Sequence, residues 1–317
     1  MINSYYDLTA PFILHNIHTI CQPCCLQIPE QDNGVWDIQY PDVDWQYNTM
    51  VIMHCQDFVN VDENGCRELQ LMEKHFGDRA HQVVVVVWNL GLDTVYSGPL
   101  NVVYFPSHSY EILANLSNAE DRWITNFLNT RKYKFQSLNG VAKPHRVQTF
   151  ERLNKLDSGI ISLHPNKPIA EFTYDQHLSV TNEENFLRLQ HIYANCDVNV
   201  VTESIYDSPL GIITEKSIFA WLSLQVPILI GYKGIVAHAR SLGFDMFDDI
   251  VDHSYDSESN DVRVASALDR NRDLLISGTD RIKLQGRLLY NQRHALTWPQ
   301  RMIDQYQSQI TAIIDAP

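Results

Sequence analysis

Three consecutive residues, Thr214-Glu215-Lys216, stand where chemistry is easiest to place in this chain. A mostly apolar run, Val198 to Val201, ends on Thr202 and Glu203. After a loop containing Pro209 and Gly211 the triplet precedes an apolar helical pattern through Ile218, Phe219, Trp221 and Leu222. A helix start presents unpaired N–H groups and the positive end of its dipole, which favours a phosphate. Lys216 adds a full charge, and Glu215 can accept hydrogen bonds from sugar hydroxyls. The ligand this implies is a nucleotide carrying a sugar. A second anion site, facing the one at Lys216, is expected at Lys143-Pro144-His145-Arg146, where Pro144 suits a first helical turn. Asp57, Asp93 and His108 each follow an apolar run, on the rim where a base for an acceptor hydroxyl would be sought. Singly, such residues are more often turn or capping residues.

The elements that must position these groups follow parallel-sheet grammar. Val198–Val201, the helix from Glu215 and a buried-looking run Val226–Ile230 closed by Gly231 read as strand, crossover helix, strand. Upstream, Lys134–Leu138 and Ile160–Leu163 read as strands, with a helix through Phe150 and Leu153 between them. A further helix spans Glu183–Ala194, with Phe186, Leu187, Leu189 and Ile192 as its core stripe. In the first part, Met50–His54, the β-branched run Val83–Trp88 and Asn101–Phe105 read as strands, the second of them central and buried. An amphipathic helix over 119–131 leads out of this part, and the boundary is placed near residue 130. Residues 1–130 then form a first domain and 131–317 a second. The chain closes on Arg-rich helices ending in Met302–Ile314. The aromatics of Gly243-Phe244-Asp245-Met246-Phe247 fit core packing better than a nucleotide base.

Composition bounds the rest. The chain has 317 residues, 44% hydrophobic, with a formal net charge of -14. Residues 1–125 hold 16 acidic and 4 basic side chains, so nearly all the excess lies there. An acidic half repels polyanions, and nothing in composition advertises a nucleic-acid surface. Six cysteines, clustered at one end and otherwise scattered, form no disulfide framework. His15, His18, Cys21 and Cys24 are of zinc-binding types, but four ligands three apart on a straight helix cannot close one tetrahedron. Asp42 and Asp44 read as solvated loop acids, so no metal is expected. No apolar run reaches the roughly 20 residues of a membrane span, and the start lacks a basic region with a cleavage site. A cytoplasmic location is expected. Neither GxxxxGK[ST] nor GxGxxG occurs, which argues against an NTPase or a dinucleotide enzyme.

With Val226-Pro227-Ile228-Leu229-Ile230-Gly231 behind it, the Thr-Glu-Lys helix start resembles the donor-binding half of α1,3-fucosyltransferase-like GT-B glycosyltransferases. More of the second half is similar to a group of phage-encoded glycosyltransferase-like proteins. The matching motifs are Phe135 with Ser137-Leu138-Asn139, His145-Arg146, Val201-Thr202-Glu203, Thr214-Glu215-Lys216, Leu242-Gly243-Phe244 with Phe247-Asp248, and Ser254-Tyr255-Asp256. They cover roughly residues 133–256.

The resemblance implies an α/β fold of two Rossmann-like domains facing a cleft, residues 1–130 on the acceptor side and 131–317 binding the donor, with the terminal helix Met302–Ile314 crossing back to the first domain. It implies transfer of a sugar from a nucleotide-diphosphate sugar, a co-substrate rather than a cofactor, with no obligatory metal. Lys216 and Arg146 would neutralise the leaving diphosphate. Glu215 and Glu203 would hold ribose or sugar hydroxyls, and Ser137, Asn139, Thr202 and Thr214 complete the donor-binding set. Asp57 or Asp93 would deprotonate the acceptor. A hydroxymethylated base in phage DNA is one acceptor, opposed by the acidic first half; a glycan or small molecule is another. In the former case Arg131, Lys132 and Lys134 are the expected contacts. A non-catalytic nucleotide- or carbohydrate-binding protein is the alternative from another class.

Overall fold

A computed structural model describes residues 50–54, 61–62, 65–87, 92, 96–106, 109, 113, 131–163, 182–208 and 210–314. Asp57, Asp93 and His108, the histidines and cysteines of residues 15–24, Asp42, Asp44 and residues 119–130 lie outside them. The chain divides into two compact units, residues 1–107 with 300–317, and residues 108–299.

In the first unit, β1 (Met50–His54), β4 (Val83–Val87) and β5 (Asn101–Tyr104) form a parallel sheet in the order β1-β4-β5. The middle strand is five valines, all buried, as a β-branched run covered on both faces should be. Two short strands, β2 (Val61–Asp62) and β3 (Gly65–Cys66), pair antiparallel just before α1 (Arg67–Phe76). That helix buries Leu69, Met72 and Phe76, a stripe at helical spacing. The side-chain amide of Asn101 donates to the carbonyl of His81 (2.8 Å) and fixes the start of β5 against the turn into β4.

The second unit is built on a four-stranded parallel sheet. Its elements are β6 (Tyr133–Asn139), α2 (Pro144–Leu153), β7 (Gly159–Leu163), α3 (Asn182–Tyr193), β8 (Cys196–Thr202), α4 (Glu215–Leu222) and β9 (Val226–Ile230). Beyond the sheet come α5 (Ile235–Ser241), α6 (Asn260–Arg270), α7 (Arg272–Ser277) and α8 (Arg281–Ile314). The strand order is β7-β6-β8-β9. The chain therefore winds outward from β6 to β7, then returns to the other side of β6 and continues through β8 to β9. The crevice between the carboxyl ends of β6 and β8 is the switch point, the place where open parallel sheets bind ligands.

Every residue of β8 and β9 is buried, and α4 is buried all round from Ser217 to Leu222. Trp221 stacks on Phe244, which meets His294 and Trp298 edge-on. Phe244 and Phe247 are core residues, as the sequence favoured. Their turn is held to α8 by Arg287, which makes a bidentate ion pair with Asp245 (2.6 and 2.8 Å), and by Asn291, which exchanges hydrogen bonds with the Asp245 backbone.

At the amino end of the sheet, Gln225 satisfies several buried groups at once. Its amide nitrogen donates to the carbonyls of Tyr193 and Cys196, and its oxygen accepts from Gln136 and Asn199. Arg131 donates to the carbonyls of Tyr193 and Ser223, and Arg281 to that of Leu224. The Arg131 guanidinium thus meets the negative ends of α3 and α4, and that of Arg281 the end of α4. No described helix is long and apolar enough to cross a membrane.

Candidate functional site

The switch point is built from the backbone outward. At the end of β6, the Asn139 side-chain amide donates to Ser137 Oγ (3.2 Å), and its backbone N–H donates to Ser162 Oγ on β7 (3.2 Å). From the end of β8, the Thr202 hydroxyl donates to Asn139 Oδ1. Ser137, Asn139 and Thr202 are all buried, so this chain of hydrogen bonds locks the ends of β6 and β8 together.

Glu203 follows at once and is fully buried. Oε1 accepts from the Thr214 backbone N–H (3.1 Å) and the Ser217 hydroxyl (2.6 Å), and Oε2 accepts from the Thr214 hydroxyl. A carboxylate at the positive end of α4 is favoured by the dipole, and here it ties that helix start to the end of β8. The fit depends on Gly231, where an added Cβ would lie 2.8 Å from Ile235 Cδ1 and 3.1 Å from Glu203 Cβ. Ser109 adds a further tie, donating to the Ile213 carbonyl (2.8 Å).

Three cations converge on the segment 202–204. From the start of α2, Lys143 Nζ donates to the Ser204 carbonyl (2.8 Å). From the first turn of α2, buried Arg146 directs one guanidinium nitrogen at the carbonyls of Thr202 and Glu203 (both 3.4 Å). From the first turn of α4, Lys216 Nζ donates to Ser204 Oγ (3.4 Å) and Thr214 Oγ1 (3.3 Å), and forms an ion pair with Glu215. Thr214 is the N-cap of α4 and accepts from the Lys216 backbone N–H (3.5 Å). The side chains of Glu215 and Lys216 are 21% and 23% exposed, and with the partly exposed Lys143 and Ser204 they are what the site offers to solvent.

His145 lies beneath the same segment and donates from Nε2 to the Glu203 carbonyl (2.9 Å). Burial, together with the charges of Arg146 and Lys143, lowers its pKa to about 4 against the hydrogen bond, so the imidazole is neutral near pH 7. Its ring stacks on Tyr206 (4.7 Å between centroids, 5° between planes). The Arg263 guanidinium lies over the Tyr206 ring (5.1 Å) and donates to the Gly231 carbonyl (2.6 Å). The Tyr206 hydroxyl donates to the Asn260 carbonyl (2.6 Å). Loop 203–206 is thereby clamped between α2 and α6.

The eight expected donor-binding residues, Ser137, Asn139, Arg146, Thr202, Glu203, Thr214, Glu215 and Lys216, thus all lie at this one place. Their positions differ in kind. Glu215 and Lys216 are partly exposed, whereas the other six are buried. Sequence reasoning put Lys143 in the right turn but left it out of the donor set, and it missed Ser204, Tyr206 and Arg263. A strand end followed by a small residue and a ring marks Ser204 and Tyr206, and no local signal marks Arg263. Among the described residues no group of acids, histidines or cysteines is arranged to hold a metal ion.

No family model matches the sequence, and no curated protein matches it. Among solved structures, a crystal structure of an α1,3-fucosyltransferase is similar to it. The likeness covers 78% of this chain and 74% of that one, at 12% identity and a TM-score of 0.41.

Proposed function

We propose that the second unit binds the diphosphate of a nucleotide sugar and that the protein is a glycosyltransferase. The observation that carries this reading is the convergence of Lys143, Arg146 and Lys216 on residues 202–204 at the switch point of a parallel sheet. Lys143 and Lys216 would contact the phosphates. Arg146 would add its charge through the peptides of Thr202 and Glu203.

In the transfer, the bond from the sugar's anomeric carbon to the phosphate oxygen breaks and one from the acceptor oxygen forms. The acceptor proton passes to a base, and the nucleoside diphosphate leaves with its developing charge held by the lysines. Asp57 and Asp93 are the proposed bases. The acceptor hydroxyl belongs to a glycan or small molecule or to a hydroxymethylated DNA base. The acidic first half favours the former.

A thermal-shift panel of UDP, GDP, CMP, ADP and their sugars tests the donor class. A ligand at about 100 times its Kd adds roughly 2.7 kcal/mol of stability. Stabilisation by one nucleoside diphosphate supports the reading, and no response to any overturns it. Release of that nucleoside diphosphate from its sugar on adding an acceptor then identifies a transferase. Turnover with DNA that collapses as salt is raised would identify a polyanionic acceptor.

A further inference from the structure

Glu215 and Lys216 are neighbours in sequence, and consecutive side chains on a helix do not face each other. They nevertheless pair, because both lie in the first turn of α4 and fold over its start. The same ammonium reaches Ser204 Oγ and Thr214 Oγ1, and the Ser204 carbonyl accepts from Lys143. The carboxylate of Glu215 therefore fills the anion position at Lys216, one of the cations of the cluster.

Resting on the donor-site reading above, we propose that Glu215 is the internal counter-anion of this site, holding Lys216 when no phosphate is bound and being displaced by one that enters. Displacement costs the incoming anion the Glu215–Lys216 pair and sets a second negative charge beside it. A bare phosphate brings no donor to satisfy the displaced carboxylate. A ligand that also brings hydroxyl donors can satisfy the displaced carboxylate, so the pair discriminates in favour of sugar-bearing diphosphates over inorganic ones.

Calorimetric titration of the full chain with inorganic pyrophosphate, and with the nucleoside diphosphate that binds best, tests this. Glu215→Gln should bind pyrophosphate about five-fold tighter than the wild type, on the scale of a partly exposed ion pair. Its preference for the nucleoside diphosphate over pyrophosphate should shrink by at least that factor. Glu215→Ala should behave alike, and in a Lys216→Ala background the gain should largely vanish. A merely structural role for Glu215 would weaken both ligands together and leave their ratio unchanged, overturning the proposal. Unchanged pyrophosphate affinity in both Glu215 variants would also overturn it while leaving the donor-site reading intact. If neither ligand binds the wild type or any variant, the donor-site reading falls, and this inference with it.

Discussion

Glu203 and Lys216 divide the work at the switch point, and substitution should tell them apart. Glu203 is buried and accepts from the Thr214 backbone and from the hydroxyls of Thr214 and Ser217. Glu203→Ala leaves those donors buried without an acceptor, so unfolding should become easier by about 3 kcal/mol, with ligand affinity falling alongside. Lys216→Ala removes a partly exposed ammonium and its contacts with Glu215, Ser204 and Thr214, and should cost at most about 1 kcal/mol of stability to denaturant while weakening phosphate binding. His145 gives a pH signature. Its pKa is lowered from 6.5 to about 4, so across that window the unfolded chain holds a proton that the folded protein does not. Stability is therefore lost as pH falls from 6.5 towards 4. Replacing His145 by Gln should reduce the slope of stability against pH in that window. Some slope should persist, because His238, lowered to about 3 by burial, acts in the same direction. An unchanged slope would contradict the assignment of a neutral, donating His145.

At the scale of elements, close approach at one glycine and open space at another give opposite expectations. Gly231 closes β9 where a Cβ would crowd Ile235 and Glu203, so Gly231→Ala should destabilise by about 1–3 kcal/mol. Gly286 lies within α8 with nothing near the place of its Cβ, so Gly286→Ala should stabilise by about 1 kcal/mol. Chemical denaturation of the two variants checks both signs. These elements were largely legible in the sequence. The run Val226–Ile230 announced β9, the spacing of Ile218, Phe219, Trp221 and Leu222 announced α4, and Pro144 marked the first turn of α2. The clamp of His145, Tyr206 and Arg263 was not legible, because its members come from three separate stretches and nothing local couples them. Nor was the burial of Glu203, since a strand-end acid reads equally as ligand-facing or as a cap until Thr214 and Ser217 are folded onto it. The last helix was foreseen only in part: α8 runs as one helix from Arg281 to Ile314 through Pro299, where local rules would break it.

For the whole molecule, each unit carries its own parallel sheet, and only the second presents a cluster of cations at its strand ends among the described residues. The strand order β7-β6-β8-β9 could not be read from local pattern, because each strand's sequence fixes its burial but not its neighbour. Yet that order makes the ends of β6 and β8 adjacent and so gives residues as far apart as Lys143 and Lys216 one shared partner, Ser204. Isothermal titration of the best-binding nucleoside diphosphate into the wild type, Lys143→Ala and Lys216→Ala tests the shared phosphate site most directly. A single site is expected, with affinity falling about ten-fold in either variant, roughly 1.4 kcal/mol for each lost phosphate contact, and the fold intact. Equal affinity in all three proteins would place the nucleotide elsewhere and contradict the assignment.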